Sequence, residues 1–129
     1  MNKEFAMINP LELRLKNIVR VKGELAEVWT VFDKHINILS NEHPGCWDTI
    51  PIEKVEPEPL TQDWLKAMEF EVVRMRCVEK DGFRLYIWAK GTQFFFLSYE
   101  GATRTWVKTV HHLQNLFFAV KGTELIIKL

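Results

Sequence analysis

The sequence predicts an α+β protein: an N-terminal SH3-like small β-barrel followed by a helix, an antiparallel β-sheet and a C-terminal packing helix. Three observations lead there. Strand-like runs separated by turn residues fill positions 13–55, the proline-rich Glu56-Pro57-Glu58-Pro59 interrupts them, and toward the C-terminus the apolar period changes from two to that of a helix. The interruption divides the chain into a strand-rich SH3-like module, 1–57, and an α+β module, 58–129.

In the first module Ile18-Val19-Arg20-Val21 stops at Lys22-Gly23. Residues 25–32 then return with β-branched and aromatic side chains, which predicts a hairpin. Residues 35–39 alternate weakly as a third strand, and the turn residues of Asn41-Glu42-His43-Pro44-Gly45 end it. Residues 47–50 make a fourth. Pro51-Ile52-Glu53-Lys54-Val55 is too short for an α-helix and opens on proline, so one 3₁₀ turn is expected. Four or five short strands closed by such a turn are the basis of the SH3-like expectation, and that architecture serves many functions.

In the second module Thr61 is placed to cap a short helix over 62–68, with Asp63 in its first turn. Leu60, Trp64, Leu65 and Met68 share its inward side. One strand is expected over 71–80, with Val73, Met75 and Cys77 on one face and Arg74, Arg76 and Val78 on the other. Asp81-Gly82 turns it into a strand over 83–89, and after Gly91 a phenylalanine-rich strand covers 93–99. Glu100-Gly101 leads to a fourth strand over 103–107. A helix over 108–121 carries Val110, Leu113, Leu116, Phe117 and Val120 in one apolar stripe and ends at Gly122. Residues 124–129 read as a closing strand.

The 129 residues are 47% hydrophobic and 26% charged, a globular composition on a chain long enough to bury a core. Seventeen basic and seventeen acidic side chains give no net charge, which removes any whole-molecule attraction to nucleic acid or an anionic membrane. Contact of that kind must come from a local patch. Cys46 and Cys77 are too few for a disulfide framework and are expected as free thiols in the cytoplasm. Neither a signal-peptide run nor a membrane-spanning run is visible, so no membrane partner is expected.

Three blocks carry a family resemblance: Leu13-Arg14-Leu15-Lys16-Asn17-Ile18-Val19, Pro59-Leu60-Thr61-Gln62-Asp63-Trp64-Leu65, and the run from Val110-His111-His112 through Phe117-Phe118-Ala119 to Gly122 and Glu124-Leu125. With this order and spacing the chain resembles a family of small uncharacterised proteins encoded in phages and integrated mobile elements of Bacteroidetes bacteria. It departs from the family pattern in having Lys16 and Glu69 where glycine is usual, and His112 where glutamine is usual. The resemblance implies an accessory protein of a mobile element and brings no catalytic residues with it.

Residues that carry chemistry are sparse. His111 and His112 diverge by about 100° on a helix and do not ligate one ion together. No set of four ligands at zinc spacing accompanies them. His35, His43 and Cys46 form a looser set, for which metal or thiol chemistry is the weaker reading. The pairs Glu56 with Glu58 and Asp48 with Glu53 read as solvated loop acids rather than an acid and a base. No catalytic residue, metal ligand or cofactor is therefore expected, and the protein is read as a non-enzyme.

Two surfaces remain. Arg74, Arg76, Arg84, Tyr86 and Trp88 combine guanidinium groups with rings, a mixture suited to stacking bases and holding phosphates. The competing reading is a sheet face covered by other parts of the chain. His111, Gln114, Asn115 and Phe118 form a mixed face on the last helix, suited to internal packing or to a protein partner. The favoured function is a non-enzymatic protein-interaction accessory of a phage or mobile element, with a host or phage protein as partner. Single-stranded nucleic-acid binding through the basic and aromatic face is the alternative. A small enzyme using Cys46 or the histidines stands third.

Overall fold

The structure is a computed structural model and describes residues 8–40, 42–98, 103–125 and 127. The chain divides into two compact units, 1–58 and 59–129, each built on its own five-stranded antiparallel sheet.

The first unit opens on a 3₁₀ turn, Pro10–Glu12, held by a reciprocal cap in which Asn9 Oδ1 accepts from the Leu11 amide at 3.0 Å and Glu12 Oε1 from the Asn9 amide at 3.1 Å. Strands β1 (Ile18–Val21), β2 (Glu24–Val31), β3 (His35–Leu39) and β4 (Trp47–Pro51) then form a meander. Lys22 and Gly23, both left-handed, make the two-residue turn between β1 and β2 that matches the strand twist. A 3₁₀ turn, Ile52–Lys54, returns the chain so that β5 (Val55–Pro57) pairs with β1, giving the order β4-β3-β2-β1-β5.

The proline-rich segment thus begins inside a strand. Pro57 is tolerated there because β5 is an edge strand, where a missing N–H costs no ladder bond. The expected barrel is not closed: β4 and β5 stand at opposite ends of the sheet, and β5 is only 3 residues long. Val19, Val21, Val28, Ile36, Ile38, Ile50 and Val55 supply the core, one from every second position as the pleat requires. Glu58, expected as a solvated acid, is instead buried and accepts from Arg20 Nε at 2.9 Å.

In the second unit, α1 (Gln62–Ala67) is capped by Thr61, whose Oγ1 accepts from the Trp64 amide at 3.3 Å. Leu65 and Met68 are buried under it. Strands β6 (Glu71–Arg74), β7 (Cys77–Lys80), β8 (Phe83–Trp88), β9 (Gln93–Leu97) and β10 (Arg104–Val107) form a simple meander, β10-β9-β8-β7-β6. Helix α2 (Val110–Lys121) runs from a Thr109 cap to left-handed Gly122. The inner sheet face carries Val78, Phe83, Leu85, Phe94 and Val107. The Phe83 ring lies 5.2 Å from that of Phe117 on α2 and 4.8 Å from that of Phe96.

Three expectations are corrected here. The single strand over 71–80 is a hairpin, turning at Met75-Arg76 between β6 and β7, with Arg74 paired to Cys77. The freed Arg76 carbonyl accepts from the Ile87 amide at 2.9 Å, so pairing with β8 compensates a turn made without glycine. The helix stripe is rotated: Val110, Leu113 and Phe117 are buried with His111 and Gln114, while Val120 is 48% exposed. Glu124 and Leu125 lie outside any strand, Leu125 being buried, and the rest of the predicted closing strand falls largely outside the described residues. The predicted turn at Glu100-Gly101 also lies outside them.

Candidate functional site

The outer face of the second sheet brings together the rings of Tyr86, Trp88, Phe95 and Trp106 and the guanidinium groups of Arg74, Arg84 and Arg104. Residues directly opposite in antiparallel strands project to the same side. Cys77 faces Tyr86, Tyr86 faces Phe95, and Phe95 faces Trp106, so these four make one row across β7, β8, β9 and β10. The Tyr86 and Phe95 rings stack at 5.4 Å, and Trp106 meets Phe95 edge-on at 5.2 Å.

Cations border this row. Arg104 lays its guanidinium 4.5 Å above the Phe95 ring and 5.7 Å from that of Trp106, and Arg74 Nη2 reaches the Tyr86 hydroxyl at 3.5 Å. Phe95 is 8% exposed beneath these neighbours, whereas Trp106 keeps 37% of its surface in water. On one flank Arg84 donates from Nε to Glu79 Oε1 at 2.7 Å, and this bond holds the guanidinium above its ordinary pKa. On the other flank Trp88 faces Gln93 and is 50% exposed.

Open cavities lie at that second flank. One of about 460 Å³ is lined by Trp106, Gln93, Thr92 and Lys108 with Pro59 and Phe94. A smaller one of about 230 Å³ lies among Gln62, Arg76, Ile87, Trp88, Lys90 and Gly91.

Of the residues expected from sequence, Arg74, Arg84 and Tyr86 share the outer face with Trp88. Arg76 sits in the β6–β7 turn and lines the smaller cavity beside Trp88. Phe95, Arg104 and Trp106 were missed. Continuing the period-two alternation through β9 and β10 finds them, since Phe94 and Phe96 face the core and Phe95 must face away.

The helix face is split. His111 and Gln114 are buried, Asn115 is half-buried and Phe118 is exposed, so two of the four are taken up in packing. Cys46 is exposed, its amide donating to the His43 carbonyl at 3.0 Å, and Cys77 is buried. Among the described residues no three of His, Cys, Asp and Glu gather as a metal-binding group, and no helix is long and apolar enough to cross a membrane. Comparison with family models, with curated proteins and with solved structures returns no significant match for this chain.

Proposed function

We propose that the protein binds single-stranded nucleic acid on the outer face of its second sheet. The observation that carries this is the Tyr86–Phe95–Trp106 row with Arg104 and Arg74 laid against it. Rings accept any base by stacking, and guanidinium groups reach the phosphates between bases. Charge favours the same reading: unit 59–129 holds ten basic and seven acidic residues, an excess of three positive charges that the neutral whole conceals.

The test is anisotropy of a labelled oligothymidine or oligouridine at low salt. Trp106→Ala and Arg104→Ala are expected to weaken binding, the first by about 1–3 kcal/mol, the range for losing one stacked base. Absence of binding to either oligomer at low salt overturns the proposal.

A second reading rests on the first unit. Its meander, its 3₁₀ turn before β5 and the register break in β2 between Val28 and Thr30 support an SH3-like arrangement, since such a break bends one strand between two half-sheets. Trp29 and Trp47 stack at 6.3 Å on its surface, both well exposed, beside exposed Leu39. Exposed aromatic residues of this kind favour a protein contact. On this reading the chain is an interaction accessory of a phage or mobile element, and Trp47→Ala removes the partner from a pull-down.

A further inference from the structure

We infer that the Trp88 end of the sheet is a phosphate clamp, so that the preferred ligand is a strand bearing a terminal phosphate. This deepens the proposed function and rests on it. The cavity of about 230 Å³ there brings two cations, Arg76 and Lys90, and the Gln62 amide around the edge of Trp88. Among the described residues no carboxylate lines it and neither cation has an ion-pair partner.

The backbone at both cations is unusual. Arg76 (φ 61°) and Lys90 (φ 62°) hold left-handed conformations, which are costly for a residue with a side chain. Glycine would remove that cost at either place, and Gly91 stands directly beside Lys90. Two cations kept on strained backbone around one cavity are explained if their charges are used there.

Gly91 closes the cavity wall. Gln62 Nε2 donates to the Gly91 carbonyl at 3.3 Å, and a Cβ at residue 91 would collide with that same amide nitrogen. Gln62 thus presents its N–H₂ group to the same cavity that both cations line. A terminal phosphate carries between one and two negative charges near neutral pH and offers three acceptor oxygens, which matches two cations and an amide donor. An internal phosphodiester carries one charge and two free oxygens. Trp88, half in water, takes the terminal base, and the strand continues over Gln93 toward Trp106.

The test uses the full chain and internally labelled oligothymidines that carry a 5′-phosphate, a 3′-phosphate or hydroxyls at both ends. One phosphorylated form is expected to bind about tenfold more tightly than the hydroxyl form, the scale of one charge-assisted contact, and the two arms tell which end is held. In the Arg76→Gln, Lys90→Gln double variant that preference disappears. Equal affinity of all three oligomers overturns the clamp and leaves the platform standing. If no oligomer binds, thymidine monophosphates are compared with thymidine by quenching of tryptophan fluorescence, with Trp88→Phe as control. Equal quenching by the two then overturns the clamp on its own.

Discussion

Six residues other than glycine hold left-handed backbone among the described ones: Lys16, Lys22, Glu69, Arg76, Asp81 and Lys90. They divide by cause. Lys22 and Asp81 each precede a glycine in a two-residue hairpin turn, where right-handed strand twist demands positive φ at both positions. Glu69 ends α1 in a Schellman arrangement, with the Phe70 amide donating to the Leu65 carbonyl at 3.0 Å and the Glu69 amide to that of Lys66 at 2.9 Å. The tight turn is therefore made without glycine. Its ion pair with Lys80 is long, 3.9 Å, and the Glu69 side chain is 86% exposed, so little is lost with it. Glu69→Gly is expected to raise stability by about 0.5–1 kcal/mol, the left-handed penalty less the added entropy of the unfolded chain, as read in a denaturant titration. Arg76→Gly should stabilise by a similar amount while lowering affinity for the phosphorylated oligothymidine. A variant that is more stable yet binds undiminished would place the strain at Arg76 outside function.

At the scale of elements, α2 shows where side-chain chemistry and periodicity part company. Leu113 is fully buried against the sheet, while Val120, on the stripe that spacing alone draws, is 48% exposed in the last turn. Leu113→Ala is accordingly expected to cost about 2–5 kcal/mol and Val120→Ala less than about 0.5 kcal/mol, compared in parallel thermal or urea melts. Equal losses would mean that α2 packs through a different face. Strands β1 to β4, both capped helices and the Asp81-Gly82 turn were legible because each rests on local chemistry: alternation, a threonine before a helix, a glycine in a turn. The β6–β7 hairpin was not, because Met75-Arg76 carries no turn residue and the bend is fixed by pairing with β8. That hidden turn moved Arg76 away from Arg74. The outer face was half legible, since Arg84, Tyr86 and Trp88 follow from one strand, whereas Phe95, Arg104 and Trp106, which alternation places facing away from the core, join them only through the β8–β9 and β9–β10 pairings. The burial of Glu58 beside Arg20 depends likewise on β5 returning to β1, a pairing 38 residues apart in sequence.

For the whole molecule, the charge that cancels in the sum is divided between the units. Unit 1–58 has seven basic and ten acidic residues, and unit 59–129 has ten and seven. Attraction of a polyanion from a distance is therefore weak, while close contact with the second sheet is favourable. This combination fixes the salt dependence of binding. On the platform Arg74, Arg104 and Lys108 are available to phosphates, and Arg84 is discounted because Glu79 already accepts from it. Each neutralised phosphate of a single strand contributes about −0.7 to the slope of log K against log salt, so three give about −2 for an oligomer with hydroxyl ends. Engagement of a terminal phosphate by Arg76 and Lys90 adds a fourth and steepens the slope to about −2.8. Affinities of the two oligomers measured across a salt series give both slopes directly. Parallel lines would leave a terminal phosphate no more cations than a hydroxyl end receives, and a flat line for both would assign the binding to stacking on Tyr86, Trp88 and Trp106 without the arginines.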